Sequence, residues 1–161
     1  GLVLLLIVSL RGGLHLLTEL TTKPVIDCPT PARSVGSAPP FGTRQHCVYD
    51  EKTKHGPAKG WWPTGKLQSE GTYEKGKKHG IFRRWHPNGQ LSSEGAYFQN
   101  LKQGIWKEWN TEGQLATETT YQDGYMNGSR FFYDPTGKVT AEFDYIGGVL
   151  VEGADPSDGE D

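Results

Sequence analysis

The stretch KHGIFRRWHPNGQLSSEGAYFQNL, from Lys78 to Leu101, decides how the chain is read. It opens on a Lys-polar-Gly step, closes a Trp-x-Pro-Asn-Gly turn and ends on Glu-Gly-x-Tyr before its last residues. Shifting the sequence by 24 residues lays it on itself without a gap. Gly56, Gly80, Gly104 and Gly128 share one slot, and Trp61, Trp85, Trp109 and Tyr133 share another. The turn glycines Gly65, Gly89, Gly113 and Gly137 are followed two residues later by Leu67, Leu91, Leu115 and Val139. Glu70, Glu94, Glu118 and Glu142 come next, then Tyr73, Tyr97, Tyr121 and Tyr145. A fixed period kept four times over marks a repeat array, in which no tile buries its apolar face alone.

The turn says what one tile becomes. The loop tripeptides are Pro63-Thr64-Gly65, Pro87-Asn88-Gly89, Thr111-Glu112-Gly113 and Pro135-Thr136-Gly137. A two-residue turn would force the middle Thr or Glu to positive φ. A three-residue loop needs only the glycine there and accepts Pro at its first position. Each tile is therefore a β-hairpin, and the fold is all-β, a single-layer antiparallel sheet of consecutive hairpins. Trp61 then faces Leu67, Trp85 faces Leu91, Trp109 faces Leu115 and Tyr133 faces Val139. Simple alternation puts Ser93, Gly95 and Tyr97 on the same face as Leu91.

These residues resemble the variant MORN repeat of bacterial proteins, written G-x₄-[WY]-x₃-G-x-[LV]-x₂-E-x₂-Y. The match covers roughly residues 54–148, with a partial tile from about 45. Asn100 stands for the late glycine, and Thr119 for the equivalent of Gly95. The resemblance implies a hairpin solenoid that serves as an interaction module without catalysis of its own. Many bacterial members carry the label of antitoxin component of a toxin–antitoxin system. No catalytic residue or cofactor comes with it.

The flanks differ from the array. Leu2 to Leu10 is apolar or small throughout and stops at Arg11. It is too short for the roughly 20 residues of a membrane span, but suits the apolar core of an export signal. Residues 1–20 are thus expected to be a signal peptide or the end of a membrane anchor, with a buried strand or helix as the alternative. Gly1 in place of Met reads as a fragment or a processed form. Export implies an extracytoplasmic or envelope location, a cytoplasmic one being the alternative. Residues 21–44 read as a Pro-rich linker and 45–148 as the array: a partial tile at 45–53, then 54–77, 78–101, 102–125 and 126–148. Residues 149–161 read as an acidic disordered tail. Cys28 and Cys47 are either a disulfide, which export would permit, or two thiols.

Net charge of −2 gives no field that would draw nucleic acid. The histidines look like polar turn residues: the slot of His55 and His79 reads Gln103 and Asn127 later on, and that of His86 reads Trp62, Asn110 and Asp134. The repeated Glu slot recurs every second strand, about 10 Å apart. Hydrolytic carboxylate pairs sit about 5–9 Å apart in unlike environments, so paired surface carboxylates are the plainer reading. No catalytic site, metal or cofactor is expected.

Slots that vary between tiles are free to build a surface. Opposite the Trp85 face, one slot reads Ala58, Phe82, Trp106 and Arg130, and the next Gly60, Arg84, Glu108 and Phe132. Phe82, Arg84, Trp106, Glu108, Arg130 and Phe132 are the candidate partner-binding face, since aromatics with Arg are typical of binding hot spots. The same residues could instead be a second small core under a neighbouring segment or a dimer mate. A protein partner, such as a toxin, is the leading expectation, and a cell-wall or carbohydrate-binding surface the alternative. Membrane contact is expected only through the N-terminal segment, because Lys and Arg barely outnumber Asp and Glu over 54–148. The open sheet edges allow an edge-strand dimer.

Overall fold

The computed structural model describes residues 26–154. The apolar start and the end of the acidic tail lie outside the described residues. The strands are β1 (Arg33–Ser37), β2 (Arg44–Val48), β3 (Lys54–Trp61), β4 (Leu67–Glu74), β5 (Lys77–Trp85) and β6 (Leu91–Phe98). They continue as β7 (Leu101–Trp109), β8 (Leu115–Gln122), β9 (Tyr125–Tyr133), β10 (Val139–Ile146) and β11 (Val149–Ala154). All lie in one open antiparallel sheet in chain order, so each strand pairs only with its sequence neighbours.

Two kinds of turn alternate. At one border of the sheet, the Gly65 N–H donates to Trp62 O at 2.9 Å and the Trp62 N–H to Lys66 O at 2.8 Å. That is a three-residue loop with a type I turn and a left-handed glycine, repeated at Gly89, Gly113 and Gly137. The Trp/Tyr slot lies opposite the Leu/Val slot in all four tiles. At the other border, Lys75-Gly76, Gln99-Asn100, Asp123-Gly124 and Gly147-Gly148 are two-residue turns with both φ positive. Asn100 serves where the repeat loses its glycine, because Asn tolerates the left-handed region. The second N–H of each turn donates to the first residue of its own tile, as from Gly76 to Lys54 O at 2.8 Å and from Asn100 to Lys78 O at 3.0 Å.

Bulges set the faces. Trp85 pairs with Leu91, but Arg84 pairs with Ser93, which leaves Ser92 as an extra residue. One extra residue reverses the alternation. Ser93, Gly95 and Tyr97 therefore lie with Phe82 and Arg84, not with Trp85 and Leu91 as plain alternation would have it. Between His79 and Arg83, β5 is two residues longer than the facing part of β4. Gly80 sits in that bulge at φ +80° with nothing near its missing Cβ, so its slot is set by backbone conformation.

Both flanks are more ordered than their composition suggests. The segment read as a linker contains β1 and the first residue of β2, joined by a turn in which the Gly42 N–H donates to Ala38 O at 3.2 Å. Its prolines and glycines make a hairpin corner. The segment read as a tail begins with β11, which the Gly147-Gly148 turn folds back onto β10. The N-terminal cap holds the tightest packing. Cys28 and Cys47 form a disulfide with Cα atoms 5.5 Å apart, and Ile26, Cys47 and Val48 are buried.

Candidate functional site

One face of the sheet is a continuous row of rings. Phe82 lies over Gly71 and Trp106 over Gly95, so closely that a Cβ at either glycine would overlap the ring. Tyr73, Phe82, Tyr97, Trp106 and Tyr121 meet edge to face at centroid spacings of 5.6, 5.1, 5.0 and 6.4 Å. Such pairs contribute about 0.5–1.5 kcal/mol each beyond area burial. Lys54 covers Tyr73 at 4.9 Å, Lys78 covers Tyr97 at 4.5 Å, and Lys102 lies 4.4 Å from both Trp106 and Tyr121. The Trp106 indole N–H donates to Ala96 O at 3.1 Å. Burial raises the Tyr73 phenol pKa, the Tyr97 phenol adds to the rise, and the Arg84 charge opposes it.

The candidate partner face is therefore split. Trp106 is only 7% exposed and Phe82 is packed between tyrosines, so these two form the row rather than a free patch. Arg84 and Glu108 are exposed, while Arg130 and Phe132 are half-buried against each other at 4.6 Å. The rings of this row meet by their edges and carry lysines.

The other face carries a row of alternating charge. Across the strands the register runs Lys59, Glu70, Arg83, Glu94, Lys107, Glu118, Phe131, Glu142. Glu70 accepts from Arg83 at 3.4 Å and lies 3.9 Å from Lys59. Arg83 also binds Glu94, and Lys107 binds Glu118 at 2.6 Å. The hydrogen bond to Glu94 holds the Arg83 guanidinium pKa above its ordinary value, and Glu118 does the same for Lys107. The Tyr133 hydroxyl donates to Glu118 at 3.2 Å; burial raises its pKa, and the Glu118 charge adds to the rise. From Lys59 to Glu118 the carboxylates alternate with cations, an arrangement that suits cross-strand pairing. Among the described residues, no group of three or more His, Cys, Asp or Glu is gathered as a metal site. The His86 Nε2–H donates to Trp109 O at 2.9 Å, and the Trp62 indole N–H to Trp85 O at 3.1 Å, so this slot links successive tiles.

The fourth tile inverts the pattern. Phe82-Arg83 and Trp106-Lys107 put the ring on one face and the cation on the other, but here the pair reads Arg130-Phe131. Arg130 enters the ring row opposite Thr119, which needs no glycine there. Phe131 takes the cation's place between Glu118 and Glu142. Met126 replaces the covering lysine. Arg130 stands out at the 24-residue period, and Phe131 and Met126 are legible there in the same way. Next to this tile, Tyr125, Ile146, Val149, Leu150 and Val151 are all more than half exposed.

Consecutive hairpins in a single unclosed sheet, each completing its neighbour's packing, define a β-repeat solenoid. The MORN repeat variant matches residues 54–75, 78–100, 102–123 and 126–146, more than half of the chain. The chain belongs to this family, whose repeats are generally modules that bind proteins or membranes. No curated protein matches it. Among solved structures it is similar to a TarM mutant of S. aureus in complex with fondaparinux, alpha-GlcNAc-glycerol and UDP. That likeness has 11% identity and a TM-score of 0.40, over 59% of this chain and 19% of the other. A second TarM crystal structure gives 11% identity and a TM-score of 0.37, over 58% and 18%.

Proposed function

We propose that the chain is a non-catalytic binding module that takes up an extended polypeptide along the open edge of β11. The observation that carries this is that, among the described residues, β11 pairs on one side only, with β10, and exposes Val149, Leu150 and Val151 by 66, 51 and 55%. Unpaired strand N–H and C=O groups are a template that another strand satisfies. Tyr125 and Ile146, 63 and 66% exposed, extend the apolar area at the adjoining turn. The opposite edge, β1, is short and polar and contains Gly36 at φ +82°, a poor template.

Under the antitoxin reading, the strand-adding partner is a toxin. The Cys28–Cys47 disulfide and the apolar start support an oxidising compartment outside the cytoplasm. The test is a photo-crosslinking amino acid at Leu150 in the full chain, expressed in its own host. One protein crosslinked in stoichiometric yield, and lost in Val149→Lys/Val151→Lys, is the expected result. A partner retained by that variant would remove the edge from the proposal.

A further inference from the structure

The N-terminal half of the ring face is incomplete. Tile one has Ala58 where later tiles place Phe82 and Trp106, so no ring covers the start of the row. Ala58, Gly60 and Ser69 make a floor of small residues, bordered by the Phe82 ring that covers Gly71, in the lining of an open concavity of about 640 Å³. Arg44, Lys54, Lys78 and Arg84 stand around this floor. None of the four forms an ion pair with a carboxylate among the described residues. The one carboxylate in the lining, Glu70, is held by Lys59 and Arg83 in the row on the other face. His46 is next to Lys54, and its pKa is lowered, chiefly by burial and then by that charge.

The four cations are spread over β2, β3 and β5. Strands lie about 4.8 Å apart, so the charges span about 14 Å across the sheet, too wide for one compact anion. They suit an extended chain with carboxylates several residues apart. Such a chain is present in the sequence: residues 155–161, DPSDGED, carry Asp155, Asp158, Glu160 and Asp161 and no cation. Asp155 and Asp158 would be about 10 Å apart when extended. β11 lies seven strands from β4, about 34 Å along the sheet, whereas seven residues reach about 24 Å.

We propose that this basic concavity is a docking site for an acidic peptide, and that the 155–161 segment of a second copy of the chain occupies it. The contact is head to tail, distinct from strand addition at β11. It is electrostatic and open to solvent, so screening weakens it. Sedimentation velocity of the full 161-residue chain tests it, at low and high salt, against two variants. One is Arg44→Glu/Arg84→Glu, at exposed positions. The other is Asp155→Asn/Asp158→Asn/Glu160→Gln/Asp161→Asn. Self-association should weaken at least about tenfold from about 0.05 to about 0.5 M salt, as the screening length shrinks. Each variant alone should be monomeric, and the two mixed should pair one to one, because each retains the half the other lacks. Association that survives either variant, or that fails to return on mixing, overturns the proposal. A chain monomeric at every salt overturns it too, as does inorganic phosphate or an anionic vesicle bound at the concavity while the tail variant self-associates like the parent.

Discussion

In the second and third tiles one ring–cation pair stands in the opposite order to that of the fourth. In Phe82-Arg83 and Trp106-Lys107 the ring joins a packed row and the cation joins an ion row on the reverse face. In Arg130-Phe131 both contributions change sides: the ring row receives a guanidinium and the ion row receives a ring. A strand shows its two faces in strict alternation, so exchanging neighbours costs nothing in composition and reverses what each face offers. The disulfide cap closes one end, and both rows run from it through the third tile. The fourth tile interrupts both, keeps one edge-to-face pair, Phe132–Phe143 at 5.9 Å, and adjoins exposed apolar side chains at the β11 edge.

The largest expected effect is at Trp106, which is 7% exposed and touches rings on both sides. Trp106→Ala should cost about 3–5 kcal/mol in urea denaturation, and Phe132→Ala distinctly less. Equal losses would break the contrast between the third and fourth tiles. Reducing the Cys28–Cys47 bond should cost about 3 kcal/mol, and hydrogen exchange should show the loss concentrated in β1 to β3. Gly95→Ala should cost about 1–3 kcal/mol, because its Cβ must displace the Trp106 ring, and Trp fluorescence should report the displacement. Phe131→Lys would restore a cation between Glu118 and Glu142 and sharpen the comparison; a gain of up to about 1 kcal/mol that fades with salt is expected. The smallest effect concerns His46. Its folded pKa lies below 6.5, so the unfolded chain binds more protons between the two values. Its slight contribution is complete above about pH 6.5 and is lost as pH falls through that window, as NMR titration of His46 should show.

The period, the hairpins and the cross-strand Trp–Leu pairs were legible in the sequence because each depends on local turn chemistry at a fixed spacing. The assignment of faces was not, because Ser92 is a bulge that spacing alone does not reveal. That residue places Tyr97 beside Phe82, so that Phe82 and Trp106 pack within the ring row while Arg84 and Glu108 stay exposed. Pairing of the Glu slot with cations was foreseen, but the partners Lys59, Arg83 and Lys107 emerge only from register. Strands β1 and β11 were missed because Pro and Gly mark corners as readily as linkers.

Because every tile closes on its own first residue and passes one side-chain hydrogen bond or packed ring to the next, the array is also a ruler. Adding or deleting 24 residues would move the β11 edge by two strand spacings, about 10 Å, relative to the disulfide cap, and leave both ends chemically unchanged. Duplication of a tile would then tune the distance between whatever the two ends hold, without redesigning either grip.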